Sequence, residues 1–362
     1  MPGSDRPDLL GLPLERLAKT LAPAVDRPYR ARQIFDAVHR RRLAEFSAMT
    51  DLPAALRASL DREFSLAPPE LANRALAADG TTKYLLRLTD GATIEAVDIP
   101  ERDRRTLCIS SQAGCALACA FCVTGFWGAG RNLTAGEIVG EVRLVERIAR
   151  LPESFNLVFM GMGEPLLNLD ALRDALEILA ATLSLRRVTV STAGIVPGID
   201  ALAKWDRRPN LALSLHAPDD ERRSRIMPIN RTWPIADLVA ALGRFPLEGR
   251  RRITIEYLLI DRFNDSPRDA DAVLRRLSGL KIKFNLIPLN PDPVLPDWMR
   301  RPTPARVEAF RARLEQRGAT ATVRRQRGHD VAAACGQLRA SDRPPRSPRS
   351  RTPPAGGSNA ES

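Results

Sequence analysis

No apolar run in this 362-residue chain approaches the roughly 18 residues needed to cross a bilayer, so no membrane association is expected. The opening Met1-Pro2-Gly3-Ser4-Asp5-Arg6 lacks the basic-then-apolar order of a secretory signal, and a cytoplasmic, reducing compartment is the expectation. Histidine and cysteine are scarce, at three and five residues. Four of the cysteines fall between Cys108 and Cys122 and the fifth is Cys335. A disulfide-stapled secreted domain would spread an even set along the chain, so that class is excluded and the thiols read as ligands or reagents. Acidic residues, 43, fall short of the 55 Lys and Arg, for a net charge of +12. The 44% hydrophobic and 27% charged residues are the usage of a globular protein, long enough for a large domain and a smaller one.

The pattern along the chain divides it in three. Residues 1–90 read as a helical N-terminal domain that runs into the start of a β-hairpin. Apolar residues recur at helical spacing through Ala31–Val38 and again at Leu56, Leu60 and Phe64. Arg27, Arg30, Arg32, Arg40, Arg41 and Arg42 crowd this part, either as a solvated helix face or as a patch facing a polyanion. Tyr84–Leu88 and Thr93–Ile99 form a hairpin turned at Asp90-Gly91. Residues 91–340 alternate short apolar strands with amphipathic helices. The strands expected are Leu107–Ser110, Leu157–Met160, Val188–Ser191, Leu211–Leu215, Ile253–Leu259, Ile282–Ile287 and Thr320–Arg324. The helix Thr134–Arg150 opens on a capping box, Thr134-Ala135-Gly136-Glu137. This alternation predicts an α/β fold with a parallel sheet, open or closed into a barrel, whose chemistry lies at the carboxyl ends of the strands. Residues 341–362 are a basic Pro/Ser/Arg-rich tail, expected to be disordered.

Directly after the first of these strands stands Cys115-Ala116-Leu117-Ala118-Cys119-Ala120-Phe121-Cys122, a C-x3-C-x2-C loop with an aromatic before its last thiol. Three thiolates on one short loop can hold three corners of a 4Fe-4S cluster and leave the fourth iron open to a ligand. Zinc is the alternative, but it usually takes a second pair of ligands, for which only His216, His329, Cys108 and Cys335 are on offer. Later strand ends add Gly161-Met162-Gly163-Glu164-Pro165, where glycines admit close backbone approach and Glu164 can bind an ammonium group. Val190–Gly194, Leu213–His216 and Ile287–Pro291 each place small hydrogen-bonding groups at a strand end. Singly, each of these is an ordinary loop; four in succession make a site.

These motifs resemble the radical S-adenosylmethionine (SAM) superfamily, and the chain is similar to the bacterial RNA adenine C2-methyltransferases that act on 23S ribosomal RNA and transfer RNA. The matching stretches are Leu107–Cys115, Arg131–Leu133, Met160–Asn168, Ser214–Pro218, Thr254–Tyr257 and Arg327–Leu338. The resemblance implies a partial (β/α) barrel of the radical SAM type, one 4Fe-4S cluster on Cys115, Cys119 and Cys122, and SAM contacts at Gly163, Glu164, Ser191, Ser214, Leu215, His216 and Asn290. It also implies a methyl relay that uses two SAM molecules per turnover. A first SAM methylates Cys335 by displacement. A second supplies a 5′-deoxyadenosyl radical that takes hydrogen from that methyl group, and the resulting methylene radical adds to carbon 2 of adenine. Glu95 then removes the carbon 2 proton, and Cys108 closes a transient disulfide with Cys335 to free the base. A radical route suits carbon 2, which lies between two ring nitrogens and is too electron-poor to attack a sulfonium methyl.

Each relay residue also has an ordinary reading: Cys335 as a small buried hydrophobe, Glu95 as a solvent-facing strand residue, Cys108 as core. His329 reads as a loop residue. Phe126-Trp127 stands where many family members carry amide side chains, and either ring is a candidate to stack on the flipped adenine or its neighbours. The partners expected are RNA (23S ribosomal RNA and transfer RNA) and an electron-donor protein or reductant, with the chain a monomer. Two alternatives are a related methyltransferase acting on carbon 8 of adenine and a non-catalytic, metal-stabilised RNA-binding protein.

Overall fold

The computed structural model describes residues 6–102, 104–334 and 336–338. The expectations for Cys335 and for the tail 341–362 therefore lie outside the described residues. Among the described residues, ten strands form one sheet in chain order: β1 (Glu70–Leu76), β2 (Thr82–Arg87), β3 (Thr93–Glu101), β4 (Arg104–Ile109), β5 (Asn156–Phe159), β6 (Val188–Thr192), β7 (Asn210–Ser214), β8 (Ile253–Leu259), β9 (Ile282–Pro288) and β10 (Ala321–Val323). β1 to β4 pair antiparallel, and every pair from β4 to β10 is parallel. The sheet is left open between β10 and β1, which makes it a partial (β/α) barrel.

All seven strands expected from Leu107 onward are present within a few residues. Parallel strands covered on both faces read as near-continuous apolar runs, as β8 shows with six of its seven residues buried. The helix Ala135–Ala149 begins at Thr134, whose hydroxyl accepts the Glu137 N–H at 3.1 Å while the Glu137 carboxylate accepts the Thr134 N–H at 2.8 Å. It buries Ile138, Val139, Val142 and Val145 against the sheet side of the core. The Asp90-Gly91 hairpin joins β2 to β3 as expected, with Gly91 at φ +82° and the Ala92 N–H donating to the Asp90 carboxylate.

The N-terminal part departs from its helical reading. Helices span Leu14–Leu21, Tyr29–Phe35 and Ala54–Glu63, but β1 also lies in this part. β1 is exposed or half-exposed at every residue, and its register with β2 shifts between Leu71 and Asn73, so no apolar alternation marked it in the sequence. Four of the crowded arginines face carboxylates of this chain: Arg30 with Asp26, Arg40 with Asp36, Arg41 with Asp51 and Arg42 with Glu146. Leu9, Leu17, Ile34 and Phe46 join the same hydrophobic core as the sheet.

Candidate active site

The carboxyl ends of the parallel strands surround a cavity of about 910 Å³, counted out to its open mouth. Cys115, Cys119 and Cys122 line it, as do Gly163, Glu164, Ser191, Ser214, His216 and Asn290. The cysteine loop is held from several sides. The Cys115 N–H donates to the Gly128 carbonyl at 3.1 Å, the Ala120 N–H to the Ile226 carbonyl at 2.9 Å and the Cys122 N–H to the Cys119 carbonyl at 3.2 Å. Burial pushes the Cys115 thiol up to about 12, and it also raises Cys119 well above the ordinary thiol value, with the neighbouring Cys122 and Cys115 adding to the effect. Thiols in this setting ionise only when a cation offsets the lost hydration, which is what metal ligation supplies.

Among the described residues, no three His, Cys, Asp or Glu side chains form a group that could hold a metal ion, the convergence a zinc site requires. A cubane cluster presents each thiolate with a separate iron, so its ligands need not meet at one point. Three cysteines on one rim of a roomy cavity, beside a buried carboxylate, suit that donor set.

Glu164 is buried, and desolvation raises its carboxyl to about 7 against hydrogen bonds from the Ala193 N–H at 2.7 Å and the Leu166 N–H at 3.0 Å. The turn before it depends on Gly163, at φ +98°, where a Cβ would come within 2.5 Å of the Gln112 Cβ. His216 sits at φ +60°, an uncommon conformation for a residue with a side chain. Its Nδ1 accepts the Leu258 N–H at 3.0 Å and its carbonyl accepts from Asn264 at 2.7 Å. Burial and the Arg223 charge lower it to about 3, so the ring is neutral and carries its proton on Nε2. Phe121 meets that ring edge-on at 4.8 Å between centroids.

Leu215 does not line the cavity: its N–H donates to the Glu256 carbonyl and its carbonyl accepts from Arg223. Arg223 is the principal residue that sequence reasoning missed. It is 0% exposed, and its guanidinium donates to the Leu215, Ala193 and Ser214 carbonyls at 3.1, 2.6 and 3.1 Å and to the Asn230 side chain at 2.8 Å. It thereby joins the ends of β6 and β7 to the helix Asp220–Ile226, whose last residue holds the cysteine loop. In a Arg-rich helix, Asp220-Glu221-Arg222-Arg223-Ser224-Arg225, nothing local marks which arginine turns inward. Glu256 and Arg324 also line the cavity; Glu256 lay inside a matched stretch without a role, and burial raises its carboxyl while Asn285 donates to it at 2.7 Å.

Glu95 and Cys108 are brought near each other but outside the cavity lining. Cys108 on β4 is buried opposite Val97 on β3, two residues from Glu95. Glu95 is buried, not solvent-facing, and pairs with Lys83 at 3.1 Å; Lys83 also donates to the Ala332 carbonyl at 3.4 Å. Gly336 lines the cavity and accepts the Val123 N–H at 2.6 Å. No disulfide links two of the described cysteines. Phe126 packs against the buried cluster of Cys119, Ala120 and Leu258 and does not line the cavity, whereas Phe121 and Phe159 do.

A cysteine loop after the first parallel strand, beside a Gly-Glu end on the neighbouring strand of a partial barrel, defines a radical SAM enzyme. Residues 109–274 match the Radical SAM superfamily model, and residues 7–66 match the ribosomal RNA large subunit methyltransferase N-terminal domain. The crystal structure of a radical SAM methyltransferase from Sphaerobacter thermophilus superposes with a TM-score of 0.86 at 44% identity, covering 92% of this chain and 99% of that one. The dual-specificity RNA methyltransferase RlmN of Anaeromyxobacter dehalogenans is 46% identical over 94% of each chain, and that of Geobacter sulfurreducens is 46% identical over 92% of each. The chain belongs to the RlmN family of radical SAM RNA methyltransferases. Enzymes of this superfamily use a 4Fe-4S cluster and SAM, and the non-catalytic RNA-binding reading is set aside.

Proposed function

We propose that this enzyme methylates carbon 2 of adenine in 23S ribosomal RNA and in transfer RNA, through an S-methylcysteine and a transient protein–RNA adduct, with two SAM molecules per turnover. The observation that carries the reading is that one cavity joins the three thiols, the buried Glu164 and Gly336, the residue next to Cys335 in sequence. When bound, the cluster and SAM supply a one-electron cleavage to a 5′-deoxyadenosyl radical. Cys115, Cys119 and Cys122 hold the cluster. Glu164, as carboxylate, pairs with the SAM ammonium, and Gly163, Ser191, Ser214, His216 and Asn290 provide close backbone approach and hydrogen bonds around it, while Leu215 holds that strand end through its backbone bonds to Glu256 and Arg223. Cys335 accepts a methyl group by displacement and presents it to the base. Glu95 takes the carbon 2 proton as the radical adduct returns one electron to the redox centre that supplied it, and its Lys83 partner also reaches the Ala332 carbonyl, three residues before Cys335 in sequence. Cys108 then attacks the Cys335 sulfur; the S–CH2 bond breaks with its electron pair going to the base, which takes up a proton as its new methyl group forms, and an external reductant reopens the Cys108–Cys335 disulfide. The 1–90 segment positions RNA for the catalytic 91–340 segment, and the enzyme works as a cytoplasmic monomer fed by an electron-donor protein.

The test is mass spectrometry of nucleosides from RNA incubated with reconstituted enzyme, SAM and reductant. 2-Methyladenosine is the expected product. 8-Methyladenosine would overturn the carbon 2 assignment, and methylation that survives Cys335→Ala would overturn the relay.

A further inference from the structure

Three loops at the amino ends of β8, β9 and β10, opposite the catalytic cavity, enclose a solvent-open trough of about 1200 Å³ formed by residues 249–252, 277–282 and 317–320 with Leu274. Its charged residues are Arg250, Arg251, Arg252, Lys281 and Arg317, and no Asp or Glu lines it. Among the described residues only Arg317 meets a carboxylate, Asp271 at 3.1 Å. Arg251 donates to the Arg208 carbonyl at 3.0 Å and Arg252 to the Thr320 hydroxyl at 2.7 Å. The acids nearest in sequence are engaged elsewhere, Glu248 with Arg208 and Asp271 also with Arg313. So Arg250, Arg251, Arg252 and Lys281 stand together with no carboxylate partner among the described residues, whereas four of the six N-terminal arginines that drew attention in the sequence are paired within the chain.

Like charges held this close repel one another, and an external polyanion relieves that repulsion while releasing its own counterions. The trough contains no aromatic side chain on which a base could stack, but it offers the Ser278 and Thr320 hydroxyls beside the guanidinium groups, the donor set for phosphate oxygens. Gly249, Gly279 and Gly318 turn its three loops at φ +58°, +83° and +82° with nothing within 4 Å of a would-be Cβ, so a ligand backbone can lie directly on them. From Arg252 to Leu258 in the cavity wall the chain runs along β8 for about 20 Å at roughly 3.3 Å per residue. One nucleotide cannot bridge that distance; a folded RNA can.

We propose that this trough is a second RNA footprint, which grips the sugar-phosphate backbone of the folded substrate remote from the methylated adenine, without reading its sequence. The inference rests on the RNA-methylating activity of the family. It is tested with the reconstituted holoenzyme by fluorescence-anisotropy titration against a full-length transfer RNA transcript and against the excised hairpin bearing the target adenine, over a range of salt. For Arg250→Glu/Lys281→Glu, the expected result is affinity for the full-length RNA weakened about tenfold or more, a salt slope lower by about one per lost phosphate contact, and KM raised with kcat unchanged. Hairpin binding and methylation stay as in the parent enzyme, and the thermal midpoint is retained because both side chains are exposed and unpaired. Unchanged affinity and salt slope for the full-length RNA would overturn the proposal, as would equal weakening for the hairpin, which would mark a general field effect. Failure of the parent enzyme to bind either RNA would instead overturn the RNA reading on which the proposal rests.

Discussion

Removing the buried Arg223 guanidinium tests how the cavity is held together. Arg223→Met keeps the apolar stem and deletes four hydrogen bonds of 2.6–3.1 Å to Ala193, Ser214, Leu215 and Asn230. Bonds from a charged donor contribute about 1.5–3 kcal/mol each, so the gross loss is on the order of 6–12 kcal/mol. Against that stands the relief of a buried cation's desolvation, several kcal/mol, since no carboxylate pairs with Arg223 among its hydrogen-bond partners. The net is a destabilisation of about 3–5 kcal/mol, a large share of the roughly 5–15 kcal/mol available to a folded protein. Arg223→Lys keeps the charge but presents its donors from a single nitrogen, so it recovers only part of the loss. The measurement is urea unfolding followed by far-ultraviolet circular dichroism, where an m-value near 3 kcal/mol/M turns the Met variant's loss into a midpoint lowered by about 1 M or more. Iron content after reconstitution falls in parallel, because the same helix holds the Ala120 N–H of the cysteine loop. A Met variant whose midpoint and iron content match the parent would refute the reasoning.

Cys119→Ala removes one of three cluster thiols and is expected to abolish the brown absorbance and most of the iron bound by anaerobically reconstituted protein; stoichiometric zinc in place of iron would sink the cluster assignment. Glu164, raised to about 7, is largely protonated in mildly acidic solution, so SAM affinity should weaken up to about tenfold per pH unit below 7; isothermal titration at pH 6 and 8 checks this, and a Glu164→Gln variant should lose the pH dependence along with the affinity. Gly163→Ala cannot adopt φ +98° without strain and drives its Cβ into Gln112, so SAM binding should fall at least tenfold while the rest of the fold survives; unchanged binding would show that the turn relaxes. His39 is buried with both ring nitrogens unpartnered, and burial with the Arg143 charge lowers it to about 3. Its folded pKa lies below the unfolded value of 6.5, so the unfolded state takes up its proton first and stability drains away as pH falls from about 6.5 toward 3, by up to about 1.4 kcal/mol per unit. Glu164 acts with the opposite sign between about 4.5 and 7, so the diagnostic is a difference: the gap between parent and His39→Leu should widen in the variant's favour on acidification, and a pH-independent gap would contradict it.

Much of the catalytic end was legible because its signals are local. The Cys115, Cys119 and Cys122 spacing, the Thr134–Glu137 capping box, the Asp90-Gly91 turn and the apolar runs of β4 to β10 are each written within a dozen residues, so the chain states them before it folds. The strand-end rule pointed to Glu164, Ser191, Ser214, His216 and Asn290, which line one cavity. Partnership is different, since it is set by contacts far apart in sequence. Arg42 finds Glu146, Lys83 links Glu95 to Ala332, and Arg223 rather than its neighbours Arg222 and Arg225 turns in toward two strand ends. β1 has neither a buried face nor a regular alternation and exists because β2 offers it an edge. The amino-acid sequence alone determined the strands from β4 onward, the cysteine loop and the class of chemistry. Only the tertiary structure decided which charges are neutralised inside the chain and which remain for an outside partner, because a charge's energy depends on what folding brings beside it and not on what precedes it along the backbone.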